Sequence, residues 1–365
     1  MQPIFNAFQI MAKPAGSICN LDCKYCFYLE KPHLNQRRMD ETILEKYIQD
    51  YLAKSPQKEV TFLWQGGEPT LAGLDFYRQA VEFQQKYANG KQIYNALQTN
   101  GILLNDEWCE FLRENHFLVG LSIDGTQEMH DAYRLTKSQK GSFQQVFEAL
   151  ELLKKHQVQF NTLTVVHKEN VQHGAEIYRY LKSIGSTYMQ FIPLMGDYSQ
   201  QASAKDYGQM MIEIFKQWYP HDIGKIGVQF IEQWMMAFLG YQPSLCIFRK
   251  TCGDQMIIEQ NGDIYSCDHY VYPQYKLGNL IETPLLDLTY SDKQQKFGLS
   301  KANVSSRCQC CEFRFACNGG CPKHRTVQGF GEPHNQLCEA YYSALSYMAP
   351  YLKQLASQIR QRRAV

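Results

Sequence analysis

The 365-residue chain has no excess of either charge: 37 Lys and Arg stand against 36 Asp and Glu. That balance gives no electrostatic footprint for duplex nucleic acid or an anionic membrane, and leaves a small molecule or another protein as the expected partner. No apolar run reaches the roughly 18 residues needed to cross a bilayer. The opening residues, Met-Gln-Pro-Ile-Phe-Asn, lack the charged and apolar regions of a secretory signal. A cytoplasmic protein is expected. No internal repeat or low-complexity tract occurs, which excludes a solenoid or a compositional linker. Arg360, Arg362 and Arg363 read as a solvated helix end rather than a binding tail.

Cysteine, by contrast, is abundant, with 13 residues. In a reducing compartment these do not form a disulfide framework, so metal or cluster ligation is their better use. Cys19, Cys23 and Cys26 are spaced C-x3-C-x2-C beside Tyr25, Phe27 and Tyr28. Three thiolates this close can hold three irons of a cubane and leave the fourth iron open for chemistry. Zinc, closed by a distant His or Cys, is the rival, but its sites usually pair one C-x2-C with another. The aromatic neighbours suit a cluster shielded from water. Cys109, in Trp108-Cys-Glu-Phe-Leu, reads as a buried helix residue.

Residues 8 to 193 alternate short apolar strands with amphipathic helices. Strands are expected at 8–13, 60–65, 93–99, 118–123, 160–166 and 188–193, and helices at 40–54, 75–87, 106–114, 143–156 and 172–183. Six βα units predict a parallel sheet with outer helices. They are too few to close an eight-stranded barrel, so the expected fold is α/β, a partial (β/α)6 TIM-like barrel with ligands at the C-terminal ends of its strands. A helical, aromatic-rich stretch follows at 206–240, then a cysteine-dense segment, then a final helix over 340–360. The expected domains are 1–240 and 241–365. Around Asn261-Gly262 the pattern predicts a hairpin, which brings distant thiols together.

Gly66-Gly67-Glu68-Pro69 follows the second strand, and Thr99-Asn100-Gly101 follows the third. From its residues alone the first run is a turn with a surface Glu. One βα unit after the cysteine triplet, however, it resembles the radical S-adenosylmethionine enzymes. That resemblance implies a [4Fe-4S] cluster on Cys19, Cys23 and Cys26, with S-adenosylmethionine on the open iron. It assigns the methionine amino group to Gly66, Gly67 and Glu68, the ribose to Ser122, and the methionine carboxylate to Arg134, a suitable bidentate donor. Arg134 could equally cap a helix or make a surface ion pair. Gln98, Thr99 and Asn100 are expected to line the pocket and Tyr25 to belong to it, while Asp124 reads as a residue that only ends the fourth strand.

The nine cysteines beyond residue 245 resemble the SPASM extension of peptide-modifying members of that superfamily. Its pattern implies one auxiliary cluster on Cys246, Cys252, Cys267 and Cys321, and another on Cys308, Cys311, Cys317 and Cys338. Three [4Fe-4S] clusters are then expected, with Cys310 an alternative to Cys311. The strings Ala12-Lys-Pro-Ala, Gln65-Gly-Gly-Glu-Pro-Thr-Leu-Ala-Gly, Leu97-Gln-Thr-Asn-Gly and Asn318-Gly-Gly-Cys resemble the anaerobic sulfatase-maturating enzymes. This implies oxidation of a cysteine or serine in a Cys/Ser-x-Pro-x-Arg segment of a sulfatase to formylglycine. Reduced flavodoxin or ferredoxin is the implied donor, and Asp268 the implied proton acceptor, although a carboxylate there could also cap a turn. The alternative is another SPASM reaction that makes a thioether or carbon–carbon cross-link. Many such enzymes carry an N-terminal leader-binding domain, for which a first strand within about ten residues leaves no room.

Overall fold

The computed structural model describes residues 7–29, 31, 34, 37–196, 199–327 and 332–363; Met1 to Asn6 and the Arg363 side chain lie outside that description. In chain order the principal elements begin with β1 (Gln9–Lys13), α1 (Glu41–Lys54), β2 (Glu59–Trp64), α2 (Leu74–Tyr87), β3 (Gln92–Thr99), α3 (Asp106–Glu114) and β4 (Phe117–Ser122). Next come α4 (Gln127–Asp131), α5 (Phe143–Lys155), β5 (Phe160–Val166), α6 (Gly174–Ser183), β6 (Tyr188–Pro193), α7 (Ala204–Trp218), β7 (Gly227–Val228) and α8 (Gln229–Leu239). The hairpin β8 (Gln255–Glu259) and β9 (Asp263–Tyr265), the strand β10 (Lys276–Asn279) and a helix over Cys338–Arg363 complete the order.

Two compact units divide the chain, and neither is continuous. The first comprises residues 1–122, 130–160 and 253–299. In it β1, β2, β3 and β4 pair in parallel in that order, each strand followed by a helix as the alternating pattern predicts. Helix starts are fixed by side chains that take up free amides: Asp40 accepts from Ile43 N, and Asn105 from Trp108 N. Along β2 the residues Val60, Phe62 and Trp64 are buried while those between are more open, the period of a half-covered strand. Trp64 is fully buried and meets Tyr47, Phe62 and Tyr77 ring to ring. Its indole N–H donates to Asn95 Oδ1 at 2.8 Å, which satisfies this buried donor.

One feature of this unit was not visible in the local pattern. Strand β8 pairs in parallel with the free edge of β1, from Gln9 opposite Gln255 to Lys13 opposite Glu259, and β9 and β10 continue the sheet antiparallel. An uncovered β1 would leave a row of unpaired backbone groups. Packing therefore parts company with chain order at residues 253–299, across the expected boundary at residue 240.

The second unit comprises residues 123–129, 161–252 and 300–365. Its strands β5, β6 and β7 pair in parallel. Helix α7 packs closely on the C-terminal helix because Gly208 has no side chain: a Cβ there would lie 2.9 Å from Ala340 Cα. Trp234 of α8 is fully buried against Phe230, Phe248 and Tyr341. None of the described helices is long and apolar enough to cross a membrane.

Candidate active site and cluster sites

The cysteine triplet lies in the first unit, on the loop that leaves β1. Two amides of this loop are fixed by the segment after α4: Asp22 N donates to Leu135 O at 2.7 Å and Lys24 N to Tyr133 O at 3.0 Å. Burial pushes the Cys19 thiol up to about 12; the Leu21 amide opposes this, while Glu68, Cys23 and Cys26 add to it. Three thiols on one loop, one of them held protonated by burial, form a soft donor set that a metal or cluster can bind by replacing protons.

Gly66 and Gly67 are required by the chain's own close approach. Gly66 has φ of 142°, and a Cβ on Gly67 would sit 2.1 Å from Ile18 O. Gly67 N donates to Gly16 O and Glu68 N to Ile18 O, both at 2.8 Å, so the end of β2 is clasped to the residues leading into Cys19. Glu68 is 1% exposed, far from the surface Glu of the bland reading. Its Oε1 accepts from Thr70 N, Thr70 Oγ1 and Thr99 Oγ1 at 3.0, 2.6 and 2.7 Å, and its Oε2 from Asn100 N at 2.8 Å. Burial nevertheless holds the carboxyl above its ordinary value.

Asn100 ties the end of β3 to the same loop, donating to Asn20 Oδ1 at 2.8 Å. Ser122 ends β4 and accepts from Gln98 Nε2 at 3.1 Å. Arg134 is buried, and its guanidinium lies 5.6 Å from the Tyr25 ring centroid. Tyr25 in turn meets Tyr133 edge-on. The triplet and all seven expected cofactor-binding residues thus belong to one unit. Asp124, in the other unit, accepts from Val165 N at 2.8 Å, as a strand-ending residue does.

Asp268 follows β9 in the first unit, and its Oδ1 lies 2.6 Å from Lys13 Nζ. Lys13 is 1% exposed, its ammonium 4.8 Å from the Tyr28 ring, and Tyr28 donates to Glu259. Burial alone would raise Asp268, but the charges of Lys13 and His269 and the Lys13 hydrogen bond outweigh it and leave the carboxyl below its usual range. Glu259 lacks so close a cation, and burial pushes it up to about 7 against the Tyr28 hydrogen bond and the more distant Lys13 and Lys31. Nothing in the sequence pattern assigns Lys13 a role; its one signal is a lysine at a strand end directly before Pro14.

In the second unit Cys308, Cys311, Cys317 and Cys338 line a cavity of about 340 Å³. Burial pushes the Cys317 thiol up to about 12, with Cys338, Cys308 and Cys311 adding to the rise. Four soft donors around a cavity of this size fit an iron–sulfur cubane. Cys310 also reaches the cavity but is exposed. Cys246, Cys252 and Cys321 gather near Lys301, while Cys267 is carried by the first unit next to Asp268. Cys109 is fully buried in α3.

Family models match the chain twice: the radical SAM superfamily over residues 14–181, and an iron–sulfur cluster-binding domain, SPASM, over residues 246–312. Fold and donor sets together define a radical S-adenosylmethionine enzyme with additional iron–sulfur clusters. A serine-type anaerobic sulfatase-maturating enzyme of Bacteroides thetaiotaomicron is 39% identical over 99% of this chain and 94% of its own length. A cysteine-type counterpart of Clostridium perfringens is 34% identical over 96% and 99%. The solved structure of native anSMEcpe with bound AdoMet and Cp18Cys peptide superposes with a TM-score of 0.90 at 33% identity, over 96% of this chain and 99% of that one. The chain belongs to the family of anaerobic sulfatase-maturating enzymes. SuiB of Streptococcus suis shares the fold at 16% identity and a TM-score of 0.64.

Proposed function

We propose that this protein oxidises the β-carbon of a cysteine or serine in a sulfatase polypeptide to the aldehyde of formylglycine without oxygen. The observation that carries the reading is the Lys13–Asp268 ion pair, joined through the Tyr28 ring to the loop that holds Cys26. It supplies an ionised proton acceptor to a site whose thiols suit an open-iron cluster.

Cys19, Cys23 and Cys26 would hold that cluster and leave one iron for S-adenosylmethionine. Bound there, the pair supplies a 5′-deoxyadenosyl radical able to take a hydrogen atom from an unactivated carbon. Glu68 accepts three hydrogen bonds on Oε1 and only one on Oε2, from Asn100 N, so Oε2 keeps a direction that suits the methionine amino group beside Gly66 and Gly67. Arg134, steadied on Tyr25, presents a fork to the methionine carboxylate, and Asn100 and Ser122 line the nucleoside side.

After hydrogen-atom loss at the substrate β-carbon, one proton and one electron must leave. Asp268 takes the proton from the thiol or hydroxyl. The electron needs an acceptor, a role auxiliary clusters would supply; Cys246, Cys252, Cys267 and Cys321 would hold one and Cys308, Cys311, Cys317 and Cys338 the other. A serine then gives the aldehyde directly, whereas a cysteine gives a thioaldehyde that water converts to the aldehyde with loss of H₂S. Identities of 38–39% to serine-type relatives, against 32–34% to cysteine-type ones, support including serine. The same reading has the protein act in the cytoplasm on Cys/Ser-x-Pro-x-Arg segments, with reduced flavodoxin or ferredoxin as donor.

Hydrazide capture tests the proposal. A sulfatase peptide treated anaerobically with the reconstituted protein, reductant and S-adenosylmethionine should acquire a hydrazide-reactive aldehyde. A peptide that stays unreactive while 5′-deoxyadenosine accumulates contradicts it.

A further inference from the structure

Cys317 and Cys321 belong to different expected clusters, and the three residues between them are all left-handed. Asn318, Gly319 and Gly320 have φ of 48°, 72° and 63°. Their carbonyls converge on Arg325. Its Nε donates to Gly319 O at 3.1 Å, and its Nη2 to Asn318 O and Gly320 O, each at 3.3 Å. Its Nη1 donates to Lys301 O and Asn303 O, both at 2.9 Å. The whole guanidinium fork is spent on backbone oxygens.

A neutral donor could hold this turn, as Asn335 already does in part by donating to Gly319 O at 3.2 Å. A half-buried charge is a costly choice unless something offsets it. Among the described residues no carboxylate pairs with Arg325; the ionisable groups acting on it include the thiols of Cys308, Cys321, Cys252 and Cys317, and its charge is also felt by Lys301. Lys301 repeats the arrangement on a smaller scale. It is fully buried, its Nζ donates to Ile247 O at 3.2 Å and to Arg249 O, and it faces Cys246, Cys252 and Cys321.

We propose that Arg325 is the shared counter-charge of the two auxiliary clusters and that Lys301 is a second one for the Cys246, Cys252 and Cys321 set alone. Both then raise the clusters' readiness to accept the electron that leaves the substrate. A cubane held by four thiolates carries about two negative charges when oxidised and about three when reduced, by charge counting. A neighbouring cation favours the reduced form. Arg325 touches no substrate and is a positioning residue, setting both the charge and the span between Cys317 and Cys321. This inference rests on the proposed assignment of those cysteines to clusters.

The test is a redox titration followed by electron paramagnetic resonance. It uses the full chain with Cys19→Ala, Cys23→Ala and Cys26→Ala, so that only auxiliary clusters report. Arg325→Met should make both clusters about tenfold harder to reduce, about 59 mV for a one-electron couple. Arg325→Lys should recover most of that shift, and Lys301→Met should move one cluster only. Potentials unmoved in Arg325→Met at full iron content overturn the proposal, as does an Arg325→Lys shift as large as that of Arg325→Met. Should Arg325→Met lose its iron, Lys301→Met decides: a drop in one potential supports the proposal and no drop overturns it. A parent chain that binds no auxiliary iron refutes the cluster assignment instead, and does so before any potential is read.

Discussion

Asp268 can serve as a base at neutral pH because Lys13 keeps it ionised at a cost that burial would otherwise make prohibitive. Asp268→Asn retains the shape and removes the proton acceptor. Aldehyde formation should fall by about 10²- to 10⁴-fold while 5′-deoxyadenosine release continues. Equal loss of both products would assign the residue to cofactor binding. Glu259, by contrast, is held protonated by burial, with its pKa near 7. Its folded-state value lies above the unfolded one, so the folded protein binds the extra proton between about pH 4.3 and 7. That contribution to stability is present below the unfolded value and disappears as pH rises through 7, by up to about 4 kcal/mol. Thermal melts of the cluster-free protein should therefore show stability falling from pH 5 to pH 8, and Glu259→Gln should flatten that slope. The same slope in both proteins would mean that Glu259 titrates normally.

At the scale of elements, function sits on loops held by backbone contacts rather than by long side chains. The end of β2 lies so close to residues 16–18 that any side chain at Gly67 meets Ile18 O. Gly67→Ala should exceed the roughly 1–3 kcal/mol of ordinary overpacking. Its first symptom should be loss of iron from the triplet with the two auxiliary clusters retained, measured by iron analysis. The longer strands and helices were legible because their apolar positions repeat with periods of 2 and 3.6, and the Asn261-Gly262 turn announced its hairpin, whereas the short elements α4, β7 and β10 carry too few residues to show a period. The pairing of β8 with β1 was not legible. Both strands read as apolar, and nothing in a local window says which edge a strand will join. For the same reason the Lys13–Asp268 and Arg325–Gly319 contacts were missed: each is fixed by tertiary placement, while the cysteines announced themselves by spacing.

For the molecule as a whole, the account requires three cubanes on eleven cysteines, with Cys109 and Cys310 left over. Anaerobic reconstitution should give about 12 irons and about 12 sulfides per chain, and about 8 of each when Cys19, Cys23 and Cys26 are replaced by alanine. Zinc in their place would contradict the thiol-set reading in both units. The candidate site residues stand in the sequence only as types and spacings. Their division between two discontinuous units was not, because strand β8 returns to the N-terminal sheet after more than two hundred residues of intervening chain.

The central claim is that the radical is spent on a side-chain carbon of a sulfatase segment to leave an aldehyde there. Mass spectrometry of one anaerobic incubation with a Cys-x-Pro-x-Arg peptide tests it most directly. The account predicts a loss of about 18 Da by atom counting, in step with one 5′-deoxyadenosine per modified peptide. A loss of about 2 Da from that cysteine peptide, with no aldehyde, would mean a cross-link or disulfide and would contradict it.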